Sequence, residues 1–308
     1  MIGPAVSAAS FCKNSQLIEE LTADFPDAKL NRTGSVIQGQ ELIEFLSGYR
    51  AAIVGTELIS EQILDSLPSL EFIAKYGVGL DNIDQQALKR RGIGLGWTGG
   101  VNRRSVSEMA LAFMIGLCRN LFLTSTKLRG GEWDKRGGFQ LSEKTVGIIG
   151  CGHVGHDLLQ LLQPFGCNVL IYDILDKSDV CKEFGARQVS LDELLETSDV
   201  VSLHVPLTDQ TREMVNATFL QQMQNHAYLI NTSRGYVVKE SDLSAALKSG
   251  VIAGAALDVY QREPADDLDF LSLPNLVCTP HIGGNAVEAV LAMGRSAIFH
   301  VRDWAAKQ

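Results

Sequence analysis

Two short stretches hold the residues best suited to chemistry. The first, Gly150-Cys151-Gly152-His153-Val154-Gly155, has G-x-G-x-x-G spacing. It follows the apolar run KTVGII and opens a helical pattern, and the next apolar run, NVLIYD, ends on Asp173. In that setting each glycine has its own use: Gly150 for a tight turn, Gly152 for close approach of a pyrophosphate, Gly155 for helix–strand packing. The helix N-terminus then faces the phosphates. Asp173, eighteen residues past Gly155, is positioned to accept hydrogen bonds from a ribose diol. Its charge would repel a 2′-phosphate, which predicts NAD rather than NADP. Cys151 and His153 fill the variable positions, Cys151 as a small packing residue. The second stretch, Thr279-Pro280-His281-Ile282-Gly283-Gly284, sets one imidazole between a rigid proline and two flexible glycines. Imidazole exchanges protons near neutral pH. Taken alone, the same stretch also suits a plain turn.

The elements around these stretches define an α/β chain. In the second half, candidate strands lie at 144–150, 168–173, 200–204, 227–231, 252–257 and 276–278, with a helix at 153–164 and a last helix at 285–304. This is the pattern of a doubly wound parallel sheet. In the first hundred residues, strands at 5–10, 51–54, 71–74 and 93–96 alternate with helices at 15–24, 39–46 and 60–66. A second parallel sheet is expected there. Between the blocks, Gly99-Gly100 breaks the chain and a single long helix is predicted over 104–128. That helix is apolar nearly all round, so it should be buried.

Composition limits the function classes. A chain of 308 residues suits two domains. A net charge of -9 argues against a nucleic-acid or anionic-membrane surface. The longest apolar run, Met109–Cys118, falls short of the roughly 20 residues a membrane helix needs. Six cysteines without C-x-x-C spacing suggest neither a metal site nor a disulfide framework, and reduced thiols in the cytoplasm are the expectation.

Several further motifs follow in order: KYGVGLDNID from Lys75, HVPLTDQTREMVN from His204, LINTSRG from Leu229 and GAALDVYQREP from Gly254, ahead of TPHIGG. Together they resemble the D-isomer-specific 2-hydroxyacid dehydrogenases over residues 50–300, with the phosphoglycerate dehydrogenase branch nearest. The resemblance implies an α/β fold of two doubly wound Rossmann-like parallel-sheet domains. The substrate domain would be split between residues 1–98 and the C-terminal helix at 286–308, and the NAD-binding domain would span 99–285. It implies Arg234, Glu263 and His281 as the catalytic set. The cofactor contacts it implies are Gly150, Gly152, His153, Val154, Gly155 and Asp173, with His204, Val205, Pro206, Thr211, Thr232, Ser233, Asp258, Gly283 and Gly284. Substrate contacts would come from Lys75, Val78, Gly79 and Arg234, the Val78–Gly79 loop offering backbone N–H groups to a carboxylate. No metal is implied. A homodimer through the helix near 104–128 is expected.

Physical chemistry agrees with these roles. A 2-oxo acid presents a carboxylate beside a ketone, which a planar guanidinium binds as a fork. Hydride arriving at the ketone carbon leaves an alkoxide that needs a proton, and an imidazolium supplies it. A carboxylate beside that ring favours its charged form and fixes one tautomer. The implied reaction is hydride transfer between NAD and a small D-2-hydroxy acid, with 3-phosphoglycerate the leading substrate. Glyoxylate or hydroxypyruvate is the alternative. A second class with the same fold and triad is an NAD-responsive corepressor-like scaffold. Formate-type relatives pair their His with Gln, whereas Glu263 stands here.

The chain also departs from the family pattern. His153-Val154 replace an Arg or Asn followed by Ile after the second glycine. Trp97-Thr98-Gly99-Gly100 replace an N-T-P-G turn, and losing the proline should loosen it. Arg103-Arg104 open the long helix. They are read either as a solvated or subunit-facing helix start or as a phosphate subsite, with Lys75 or Lys135-Arg136 as other phosphate ligands.

Overall fold

The structure is a computed structural model that describes residues 3–308. The chain divides into two compact units, Met1–Asn102 with Ala286–Gln308, and Arg103–Asn285. The first unit holds five parallel strands: β1 (Ala5–Val6), β2 (Lys29–Leu30), β3 (Ala51–Val54), β4 (Phe72–Lys75) and β5 (Gly94–Gly96). Their order is β2-β1-β3-β4-β5. β3 and β4 are buried along their whole length, as expected of parallel strands covered on both faces. The helix Val287–Ala305 belongs to this unit. Trp304 stacks on Phe72 with ring centroids 5.5 Å apart. Gly294 lets that helix lie against Leu17, because a Cβ there would come within 2.3 Å of the leucine.

The second unit holds seven parallel strands: β6 (Thr145–Ile149), β7 (Asn168–Tyr172), β8 (Arg187–Gln188), β9 (Val200–Leu203), β10 (Tyr228–Asn231), β11 (Gly254–Leu257) and β12 (Leu276–Cys278). Their order is β12-β11-β10-β9-β6-β7-β8. The strand order reverses between β6 and β9, and ligands of such sheets bind beyond the strand ends at that switch. Both sheets match the expected architecture. Several predicted strands are trimmed at one end: 5–10 shortens to β1, 252–257 to β11 and 200–204 to β9. The short β2 and β8 carry no long apolar run and were not predicted.

The expected continuous helix over 104–128 is two helices, Arg103–Cys118 and Leu121–Arg129, bent by 65° at the break. Asn120 takes the left-handed conformation at φ 53°, which asparagine tolerates better than most residues. Gly116 makes room for the turned-back Phe122 ring, which a Cβ at that position would meet at 2.1 Å. Expected burial also ends at the bend. The first helix buries Val106, Ala110, Phe113 and Met114, whereas the second has no buried residue. Among the described residues no single helix is long and apolar enough to cross a membrane.

Candidate active site

The glycine-rich turn joins β6 to the helix His153–Leu162. Gly150 sits at φ 89°, and a Cβ there would meet the His204 carbonyl oxygen at 2.6 Å. A Cβ on Gly155 would meet the Gly150 carbonyl oxygen at 2.2 Å. Gly152, by contrast, opens onto empty space, and no side chain caps the helix's first turn. Exposed amides at a helix start suit an anionic group. Asp173, at the end of β7, accepts from the amide of Cys151 at 2.8 Å and that of Leu175 at 2.9 Å. Beyond β9, His204 shares its Nε2 with Ser202 Oγ at 2.9 Å, and burial pushes its ring pKa down to about 4. It is a neutral hydrogen-bonding group at physiological pH. The following loop closes on itself through Thr211 Oγ1, which donates to the Pro206 carbonyl at 2.6 Å. After β10, the Thr232 hydroxyl is buried with no partner among the described residues. The open Gly152 turn and the unpartnered Thr232 hydroxyl are the features expected of a cradle for a dinucleotide.

Around Arg234 the backbone is shaped by Asn231, fully buried and not anticipated from sequence. Its Oδ1 accepts from the amide and hydroxyl of Ser233, and its Nδ2 donates to the Arg234 carbonyl at 2.9 Å. The signal was present, since Asn followed two residues later by Ser is a local turn pattern. Gly235 lies directly on the Tyr260 backbone, where a Cβ would come within 1.9 Å of its carbonyl.

The TPHIGG stretch follows β12. His281 holds a left-handed φ of 53°, and its Nδ1 lies 2.6 Å from Glu263 Oε2. Glu263 Oε1 accepts from the Tyr260 amide at 3.1 Å, so the carboxylate is oriented at both oxygens. The Glu263 bond raises the imidazole pKa against the opposing effect of partial burial. The Glu263 and Asp258 charges add to the rise, and Arg234 works against it. Burial pushes the Glu263 carboxyl up, but the His281 bond and charge, the Tyr260 amide and Arg234 together hold it below its usual range. Buried Asp258 fastens the loop. It accepts from Thr279 Oγ1 at 2.5 Å, Ile282 N at 2.9 Å and Gly283 N at 2.7 Å. Gly283 is needed here, because a Cβ would approach Asp258 Oδ2 to 2.8 Å. Ser105 adds a bond to the Gly283 carbonyl. Gly284 stays partly exposed behind it.

In the first unit the Val78–Gly79 loop leaves the end of β4. Among the described residues the amides of Val78 and Gly79 meet no acceptor. The Trp97 indole holds the Val78 carbonyl at 2.9 Å, and Thr98 Oγ1 bonds His300 Nε2 at 2.8 Å. Two side-chain hydrogen bonds thus anchor the Trp97–Gly100 turn, where the family's proline is missing. Lys75 is buried, its ammonium held by the Gly55 carbonyl and by Asn82 Oδ1 at 2.7 Å, close to buried Glu57.

The arginines among the other proposed phosphate ligands have anionic partners. Arg104 Nε lies 3.0 Å and Arg103 Nε 3.8 Å from the carboxylate of buried Asp157. The bland reading of the arginine pair, a helix start, gains a physical reason: the pair neutralises an acid on the helix behind the glycine turn. Arg136 pairs with Asp134 at 2.6 Å. Lys135 stays exposed.

Comparison with known proteins points to one family. The NAD binding domain of D-isomer specific 2-hydroxyacid dehydrogenases matches residues 111–283. A glyoxylate reductase of Thermococcus litoralis is 38% identical over 243 residues, 76% of this chain and 73% of that one. A D-3-phosphoglycerate dehydrogenase of Archaeoglobus fulgidus is 34% identical over 83% of this chain and 49% of its own length. The crystal structure of D-lactate dehydrogenase from Aquifex aeolicus, complexed with NAD and lactic acid, superposes with a TM-score of 0.88 at 27% identity, covering 98% and 96% of the two chains. The chain belongs to the D-isomer-specific 2-hydroxyacid dehydrogenases and is an NAD-dependent oxidoreductase of that family.

Proposed function

We propose that the protein reduces a small, unphosphorylated 2-oxo acid of the glyoxylate or hydroxypyruvate class to the D-2-hydroxy acid, and runs the reverse oxidation. The observation that carries the chemistry is the His281–Glu263 contact at 2.6 Å on a loop fastened by Asp258. NADH supplies the hydride. Imidazolium His281 donates its proton to the carbonyl oxygen as the alkoxide forms, and Glu263 stabilises the charged ring. In oxidation the neutral ring accepts the hydroxyl proton. Arg234 binds the carboxylate–ketone pair as a planar fork. In the first unit the amides of Val78 and Gly79, which meet no acceptor among the described residues, suit an anionic group.

The choice of an unphosphorylated substrate rests on the cations. Lys75 is committed to Gly55 and Asn82, the Arg103–Arg104 pair to Asp157, and Arg136 to Asp134. Glu57 adds a buried acid beside Lys75. This favours the glyoxylate or hydroxypyruvate alternative over 3-phosphoglycerate. Oxidation of NADH at 340 nm with glyoxylate, hydroxypyruvate and phosphohydroxypyruvate tests it. The first two should exceed the third in kcat/KM by at least tenfold, roughly the worth of one lost charge-assisted contact. Preference for the phosphorylated acid would reject the substrate class. Failure of every acid would return the scaffold alternative. His281→Ala should lower turnover on the order of 10²- to 10⁴-fold while NADH still binds. We also propose a homodimer formed through the second, exposed helix.

A further inference from the structure

The acid that should discriminate against a 2′-phosphate does not stand alone. Asp173 Oδ2 accepts from Cys151 N and Oδ1 from Leu175 N. The Lys177 ammonium lies 3.6 Å from Oδ2, and both side chains are largely covered. Gln188 clamps the backbone of the loop that carries Lys177. Gln188 Oε1 accepts from the Lys177 amide at 2.7 Å, while its Nε2 donates to the carbonyls of Leu175 at 2.9 Å and Asp173 at 3.2 Å. The lysine charge also reaches the glycine turn: burial raises the Cys151 thiol to about 11, and Lys177 acts against that rise. The nearby Asp176 is turned to the start of the next helix, where it accepts from the amide and hydroxyl of Ser178. Arg187, on β8, pairs with Glu193.

A lone carboxylate at a ribose site repels a 2′-phosphate and accepts both ribose hydroxyls. Here two of its acceptor positions serve backbone amides, and a positioned ammonium offsets its charge. We propose that Lys177 is a cofactor-selecting residue that makes the adenosine end tolerant of a 2′-phosphate, so that the enzyme binds NADPH as well as NADH. The proposal rests on Asp173 facing the ribose.

The test is binding. Dissociation constants of NADH and NADPH are measured by fluorescence titration, and those of 5′-AMP and its 2′-phosphorylated analogue by calorimetry. Wild type should favour NADH over NADPH by less than about a hundredfold, and Lys177→Ala should widen that ratio about tenfold, the scale of one charge-assisted contact. The two adenosine fragments should follow the same trend, and Lys177→Arg should keep the wild-type ratio. A ratio unmoved by Lys177→Ala, or a wild type that rejects NADPH more than a thousandfold while binding NADH, would overturn the proposal and leave the NAD site standing. Absence of NADH binding would overturn both.

Discussion

In the proposed reaction His281 and Glu263 form a proton device whose sign can be worked out. The carboxylate raises the imidazole above its ordinary pKa, so the charged ring persists to higher pH than an isolated histidine would allow. Reduction needs that charged ring. Reductive kcat/KM should therefore hold through neutral pH and fall as pH rises through the raised value, while oxidation should gain over the same range. Glu263→Gln removes the charge but keeps a hydrogen-bonding group. Its alkaline limb for reduction should move to lower pH, and kcat/KM at neutral pH should drop roughly ten- to a hundredfold. Superimposable pH–rate profiles for wild type and variant would show that Glu263 does not govern the ring. At this scale the Glu263–His281 contact and the three glycines of the turn were legible from residue types in order. Asn231, Asp258's grip on Ile282 and Gly283, and the burial of Lys75 were not. They depend on which groups the folded chain brings within 3 Å, and spacing along the sequence does not encode that.

Among the elements, close packing separates glycines that look alike in sequence. Gly235 faces backbone, the Tyr260 carbonyl at 1.9 Å from a notional Cβ, whereas Gly116 faces the Phe122 ring at 2.1 Å. A strand-end backbone cannot step aside, but an exposed ring can. Gly235→Ala should cost more than about 2 kcal/mol and lower the thermal midpoint clearly. Gly116→Ala should cost about 1 kcal/mol or less, since alanine favours the helix and the ring can turn away. Equal midpoints for the two variants would refute this distinction. The long parallel strands were legible because each is a continuous apolar run. The helix over 104–128 misled because a run of apolar residues does not register the Arg119-Asn120 bend. Hydrophobic character predicted the element, while the left-handed turn at Asn120 and the space above Gly116 decided where it stopped. Several unpredicted helices did carry start signals: Ser190 and Asn216 each cap one by accepting backbone N–H groups.

For the molecule as a whole, the bend leaves apolar surface that the chain itself does not cover. Leu121 is 53% exposed, Leu128 54% and Trp133 75%. The nine-residue helix Leu121–Arg129 has no buried residue, and so short a helix has little stability without packing on one face. Exposed apolar clusters of this kind point to a protein partner, and a second copy supplies the same apolar surface by symmetry. The wild-type protein should therefore sediment as a dimer at micromolar concentration. Leu121→Glu with Leu128→Glu should shift it to monomer, because four glutamates would meet across a two-fold interface. The His281–Glu263 contact lies on other elements, so NADH binding should survive in the monomer. A wild type that sediments as a monomer would leave this surface without its proposed partner. A double variant that stays dimeric would move the interface elsewhere on the chain.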